Sequence, residues 1–368
     1  MSHGKSALNS ASFILYLLAL LASSVYAYLK PAFNRDMIFY MGDAYVLSGV
    51  PPCEAQSRVL QDLRSIPEDA RRQLSEGSEL NLLTFHDCDS FTQQLRFYKI
   101  RLLYLGLTNG LRVFGLSAMH ALRMVSALSF LAFGLLLFAW TRSYLSIPAA
   151  SLLCLPVFLS FVPVARGDTA DLLATVLVLW GLFLGVERGR IPVGLSVLVL
   201  CIFVRTEVVL IVLVMLAYFF VRKTLSLSWC VGLASLSVII VLLLNWATGN
   251  YGWAMEFKET FYGSDPFPAA IHPRITVTMY LTTVLRKFKD VLETLMPFAI
   301  MMAMAVWFAR RYRLLLYFVL AATAVKFVLY PIAALRHYLI PIAVAFVALV
   351  AELRFLAPAA RTGSSLEQ

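Results

Sequence analysis

The chain alternates long apolar runs with short polar breaks almost from end to end. A helix needs about 20 apolar residues to cross a bilayer's hydrocarbon core. Runs of this kind, some of them short, cover residues 12–29, 120–140, 147–164, 172–186, 191–204, 208–220, 229–246, 291–308, 314–333 and 338–353. The pattern predicts an all-α, polytopic membrane protein of about ten transmembrane helices, helices being the usual way to span. Two longer stretches, residues 30–119 and 247–290, interrupt the rhythm and should form loops on one side. The first should carry interfacial helices. Ser65-Ile66-Pro67-Glu68 has the form of a capping box with an early proline, opening a short helix toward Leu74. Residues 96–114 are apolar but studded with Lys99, Arg101 and Arg112, which predicts an amphipathic helix lying in the interface. The runs from 191 and 208 are short and meet at Arg205-Thr206-Glu207, where a polar depression should open. Residues 1–361 thus read as one transmembrane domain, with 362–368 a polar tail outside the fold.

Charge sets the orientation. With the N-terminus inside and residues 96–114 not crossing, the inner loops hold Arg142, then Arg188 and Arg190, then Arg222 and Lys223, then Arg310, Arg311 and Arg313. Arg354 and Arg361 follow on the same side. A crossing at 96–114 would send all of these clusters outside, against the positive-inside rule. Both termini are therefore expected in the cytoplasm of a bacterial-type inner membrane. Val25-Tyr26-Ala27 has a signal-peptidase look, but the long apolar run before it favours an uncleaved anchor.

Composition agrees with this class. The 368 residues are 60% hydrophobic and only 14% charged, where soluble domains are about a quarter charged. The net charge of +10 would point a soluble chain toward nucleic acid. Here it follows from basic residues kept at cytoplasmic helix ends, and no nucleic-acid partner is expected. Cys154, Cys201 and Cys230 lie inside apolar runs, whereas Cys53 and Cys88 share the first outer loop. They are candidates for a disulfide if that loop faces an oxidising compartment.

The outer side collects Asp36 and Asp43, Arg166-Gly167-Asp168 with Asp171, Arg205 with Glu207, Lys326, and Arg336 with His337. Gly-rich phosphate loops, H-E-x-x-H, G-x-S-x-G and zinc spacings are absent from the sequence, which argues against a soluble-type hydrolase or nucleotide site. Carboxylates and cations around a membrane-facing hollow suit sugar transfer from a lipid-linked phosphate. One carboxylate takes the acceptor's proton, and cations neutralise the departing phosphate, arginine's planar fork matching its oxygens. Plainer readings exist for each group. Asp36 can pair with Arg35, and Arg205 with Glu207. Asp168 and Asp171 can sit at a helix N-terminus, with Thr169 as its cap. Arg123 can reach the site or snorkel to headgroups. Lys326 and His337 can anchor or satisfy hydrogen bonds, and Asp43 reads as a loop residue.

Four segments resemble the GT-C superfamily of integral-membrane glycosyltransferases. They are Arg35-Asp36-Met37-Ile38-Phe39-Tyr40 after the first span, Phe114-Gly115 through Arg123 entering the second, Arg166-Gly167-Asp168-Thr169-Ala170-Asp171 at the next outer turn, and Val204-Arg205-Thr206-Glu207 at the hinge. The chain lacks the large soluble C-terminal domain of oligosaccharyltransferases and the Asp-Glu pair of protein mannosyltransferases, so the resemblance stays at superfamily level. It implies a GT-C-like fold and an inverting transferase using a polyprenyl-phosphate-linked sugar donor. The acceptor would be a glycan, lipid or protein hydroxyl of the cell envelope, met at the periplasmic face. Asp36 is then the catalytic base, and Asp168 or Asp171 a helper that positions substrate or metal. Arg205 or Arg336 binds phosphate, with Arg166, Glu207, Lys326 and His337 as further candidates to line the substrate site. A divalent cation (Mg or Mn) stays open, with Asp36 and Asp168 as candidate ligands. A transporter or flippase of a lipid-linked or small solute is the alternative; Lys326 inside a span favours it, and the absence of inverted repeats speaks against it.

Overall fold

The computed structural model describes residues 2–356; Arg361 and the polar tail at 362–368 lie outside the described residues. The described backbone is mainly helical, with no strand among the described residues. In chain order they are α1 (Ser2–Leu29), α2 (Arg35–Leu47), α3 (Pro52–Asp62), α4 (Glu68–Glu76), α5 (Glu79–His86), α6 (Cys88–Leu95), α7 (Leu102–Val113), α8 (Ala118–Thr141), α9 (Ile147–Ser160) and α10 (Val162–Ala165). There follow α11 (Ala170–Leu182), α12 (Ile191–Cys201), α13 (Val209–Val221), α14 (Leu227–Thr248), α15 (Trp253–Phe261), α16 (Val277–Phe308), α17 (Arg313–Leu329) and α18 (Leu339–Leu356).

Five segments are long and apolar enough to cross a membrane: Leu8–Leu29, Ala118–Thr141, Ala170–Glu187, Leu227–Thr248 and Val277–Phe308. Ile147–Ser160, Ile191–Cys201, Thr206–Val221 and Leu339–Leu353 are apolar but shorter. The core is built around α18, whose residues from Leu339 to Ala351 are almost all buried against α8, α11, α16 and α17. At the other extreme, α14 buries only Cys230, Ser237, Leu244 and Thr248 and leaves Leu242, Leu243 and Trp246 exposed. Such an apolar surface is what a lipid-facing helix presents. At the far end of α11, Glu187 accepts hydrogen bonds from Tyr144 and from Tyr312 (2.5 Å), and Trp140 Nε1 donates to Tyr312 Oη at 3.0 Å.

Residues 30–119 do form a helical layer, α2 to α7, before α8 begins. The amphipathic stretch becomes α7, whose 12 residues reach only about 18 Å. It packs on α2 and α8. Three local expectations are corrected. The capping box does not form: α4 starts after Pro67 without a side-chain cap, and Ser65 Oγ turns back to Asp62 O at 2.7 Å. A proline ahead of the first turn supplies the helical φ by itself, so the serine is released. Asp43 is not a loop residue. It lies in α2 and is 1% exposed, because helix propensity and burial carry α2 through to Leu47. Residues 277–290, read as loop, are the start of α16, which runs unbroken to Phe308 with Thr276 capping Met279 N.

Cys53 and Cys88 are joined as a disulfide, tying α3 to α6 across 35 residues of sequence. A loop of that length implies about 4 kcal/mol of stabilisation on chain-entropy grounds. Replacing both cysteines by serine is therefore expected to lower the melting temperature of the detergent-solubilised protein and to remove its sensitivity to reductant. A double variant that melts like the parent would refute this.

Candidate functional site

The polar residues at one end of the bundle are brought together by helix ends. Asn34 caps α2, its Oδ1 accepting from Met37 N at 3.1 Å and its Nδ2 donating to Gly167 O. Ala32 N donates to Arg166 O at 2.7 Å, so the α1–α2 turn is pinned to the α10–α11 turn. This puts Asp36 in the first turn of α2, where the helix dipole favours an anion. Its carboxylate accepts from Tyr98 Oη at 2.8 Å and pairs with Arg336 Nη1 at 3.1 Å. Arg35, the neighbour in sequence, turns away to Gln94 Oε1 at 3.1 Å. Arg336 also lies 3.7 Å from Asp171 on α11, which pairs with Arg205. Arg205, extended at the break between α12 and α13, reaches Glu207 at 2.6 Å, and Lys326 of α17 stands 3.7 Å from the same glutamate. Five elements distant in sequence thus contribute one continuous chain of charges, Asp36–Arg336–Asp171–Arg205–Glu207–Lys326.

Two adjoining cavities open along this chain. One, about 300 Å³, is lined by Asp36, Tyr98, Arg336, His337, Arg35 and Glu259 among others. The second, about 320 Å³, is lined by Lys326, Glu207, Asn245 and several apolar side chains. Phe97, Arg101, Arg205, Glu256 and Tyr330 face both and form the partition. A smaller recess of about 30 Å³ behind them holds Asp171, Lys326, Arg336 and His337.

Arg166 and Asp168 stand apart from these cavities. Arg166 Nε donates to Lys30 O, and its guanidinium lies over Tyr26. Asp168 is buried in a left-handed backbone conformation (φ 46°) with Arg123 at 3.7 Å. Burial pushes its carboxyl up to about 7 against the pull of Arg123. Arg123 accordingly neither reaches the cavities nor snorkels. Thr169 precedes α11 as its cap residue without a side-chain cap bond. The candidate metal pair does not assemble: Asp36 is held by Arg336 and Asp168 by Arg123. No group of three or more His, Cys, Asp or Glu side chains gathers as a metal site among the described residues.

The electrostatics favour a charged Asp36. Burial alone would raise its carboxyl, but Arg336, Arg101 and the Tyr98 hydroxyl outweigh that and hold it below the ordinary carboxylate value. Asp43, by contrast, is pushed well above that value by burial, and neither oxygen has a hydrogen-bond partner among the described residues. His337 is kept neutral by burial and by the cations around it, Lys326, Arg205, Arg336 and Arg101. Burial raises Glu256 despite nearby Arg101.

Tyr98, Arg101, Glu256 and Tyr330 are site residues that the sequence did not single out. Arg101 looked like one more cation of an interfacial helix, yet it precedes α7 and stacks on Tyr40 and Tyr98 at 5.2 and 5.1 Å. No carboxylate stands within salt-bridge distance of it among the described residues. Glu256 comes from α15 in the second long loop, which docks on the first through Gln94 Nε2 to Asp265 O (2.7 Å) and Ser90 Oγ to Pro266 O (2.9 Å). The one signal for it was a loop too long to be a plain connector.

The fold and site together define an all-helical protein with several membrane-length apolar helices and a two-chambered charged hollow at one end. No family model matches the chain, and neither the curated proteins nor the solved structures contain a match.

Proposed function

We propose that the chain is an integral-membrane glycosyltransferase of GT-C type. It moves a sugar from a polyprenyl-phosphate-linked donor to an acceptor hydroxyl, with inversion at the anomeric carbon. The observation that carries this reading is the Asp36 carboxylate, held below the ordinary carboxylate value, sharing a cavity with Arg101, Arg205 and Arg336. About ten crossings, with the hollow on the periplasmic side of a bacterial inner membrane and both termini in the cytoplasm, fit the distribution of basic residues. A disulfide in the first loop supports the same side.

In the reaction, Asp36 takes the proton of the acceptor hydroxyl as its oxygen bonds to the anomeric carbon. The bond from that carbon to the donor's phosphate oxygen breaks, and the released polyprenyl phosphate carries the added charge. Arg101 and Arg205 meet that charge, a role for which fixed cations need no reorganisation. Arg336, bound to Asp36 at rest, can turn toward the phosphate when the donor arrives. Losing that partner makes the carboxylate a stronger base when the acceptor is in place. Tyr98 holds the other oxygen and fixes its direction.

The test is reconstitution in liposomes with labelled polyprenyl-phosphate sugars and a panel of envelope acceptors. The reading predicts a covalent product of inverted anomeric configuration and stoichiometric free polyprenyl phosphate. Movement of substrate across the bilayer with no covalent product would instead establish the transporter alternative.

Acidity offers a second check. Tyr98 stabilises the ionised carboxylate of Asp36, so Tyr98→Phe removes one of the influences holding its proton affinity down. The acid limb of the kcat/KM profile, which reports the free enzyme, is expected to lie below the ordinary carboxylate range in the parent and to move to higher pH in Tyr98→Phe. An unmoved limb would take Asp36 out of the base role.

A further inference from the structure

Asp36 and Tyr40 are four residues apart on α2, so they lie one turn apart on one face of the helix. Tyr40 is 2% exposed and lines neither of the two cavities. Its ring stands edge-on to Tyr98 at 5.2 Å, with 87° between the planes, and to Tyr104 at 5.0 Å. Tyr104 is fully buried, and its Oη donates to Asp168 O at 3.1 Å. The left-handed turn at Asp168, which stands apart from the cavities, thereby braces Tyr40.

Arg101 sits in the corner between the two perpendicular rings. Its guanidinium carbon lies 5.2 Å from the centre of Tyr40 and 5.1 Å from that of Tyr98, inside the roughly 6 Å range of cation–π attraction. The backbone does little to aim it. Arg101 stands at the start of α7 without a side-chain cap bond, and its Nη1 donates only to Phe97 O, at 3.4 Å. Glu256 and Glu207 favour its charged form from farther off, neither within salt-bridge distance. A cation over one ring can slide across the whole face. Two faces at right angles leave it only the line of the corner.

We propose that Tyr40 is a positioning residue: with Tyr98 it clasps Arg101 and fixes that cation relative to the Asp36 carboxylate through one rigid turn of α2. This rests on the roles given above to Asp36 and Arg101. A helical turn rises about 5.4 Å, so the base and the clasp of the phosphate-binding cation share a single scaffold. A developing charge gains most from a cation already in place, because none of the stabilisation is then spent on reorganisation.

Tyr40 is the ring to test, since Tyr98 also holds Asp36. The experiment replaces it, in the full chain in liposomes, by phenylalanine and by 3,4,5-trifluorophenylalanine. Fluorine withdraws negative charge from the ring face at nearly constant shape, so packing is kept while the attraction for a cation is lost. Tyr40→Phe is expected to transfer within about twofold of the parent. The trifluoro ring should lower kcat roughly three- to tenfold further, with KM for donor unchanged. Repeating the pair in Arg101→Gln should abolish the fluorine effect, on transfer and on melting temperature alike. A fluorine effect of equal size with and without Arg101 would overturn the proposal, because it would report packing alone. Transfer that proceeds with kcat indifferent to fluorine would sink the clasp and leave the transferase reading standing. If no acceptor is ever glycosylated, the transferase reading fails, and the melting temperatures of the same four proteins still decide the clasp. A fluorine loss confined to the proteins that carry Arg101 keeps it; a loss indifferent to Arg101 removes it.

Discussion

Asp36→Asn is expected to lower sugar transfer by about 10²- to 10⁴-fold, the range lost with a general base, while the protein still folds and inserts. The amide keeps an oxygen for Tyr98 Oη and gives up only the ion pair with Arg336. That pair is between side chains 35% and 29% exposed, so its loss costs at most about 1 kcal/mol. Asp43→Asn is the matched control. Asp43 lies on the same helix, buried and with its carboxyl shifted toward the neutral form by burial, so an amide copies its shape without adding charge. Transfer by Asp43→Asn is expected within a few-fold of the parent. Assays of both variants in the same liposomes separate a charge needed for chemistry from a carboxyl kept for packing; equal activities would refute the assignment.

Arg101→Gln should produce the second large effect, a loss of about 10²- to 10³-fold in transfer, comparable to removing one fixed donor from a developing anion. Stability should hardly change. Arg101 stacks on two tyrosines, contacts worth about 0.5–1 kcal/mol each where partly exposed, and it makes no salt bridge among the described residues, while Glu256 beside it is already shifted toward its neutral form by burial. Arg205 makes a useful contrast. Asp171, 5% exposed, pairs with Arg205, as does Glu207. Removing the guanidinium leaves Asp171 and Glu207 only the longer contacts to Arg336 and Lys326, so Arg205→Gln should lose stability where Arg101→Gln does not. Thermal melts alongside single-turnover rates distinguish the two arginines. An active Arg101→Gln would mean that the phosphate is neutralised elsewhere.

What was legible in the sequence follows from the range of the forces involved. Apolar periodicity and charge asymmetry are local, and they anticipated the helical class, a short helix within the 96–114 stretch and the hinge at Arg205. Helix ends gather polar side chains because the apolar run must stop at the membrane edge, so Asp36, Asp171, Arg205, Glu207, Lys326, Arg336 and His337 were found without knowing any contact. The pairings were not legible. Asp36 meets Arg336 across 300 positions, while its neighbour Arg35 goes to Gln94. Nor could a local pattern tell that Arg166-Gly167-Asp168 faces α1 and Arg123 rather than the hollow, since a turn of three residues can point either way. Arg101 and Glu256 were hidden for a related reason: each is an ordinary charge in an outer loop until the two loops dock and aim both at one partition.

The central claim, that a lipid phosphate meets Asp36 across the arginine partition, is tested most directly by a density map of the full chain in nanodiscs with bound polyprenyl monophosphate. The account predicts the phosphorus beside Arg101 and Arg205, with the Asp36 carboxylate facing the same phosphate from the polar chamber. A headgroup resolved instead at the opposite end of the bundle, among Arg142, Arg188 and Arg311, would contradict it.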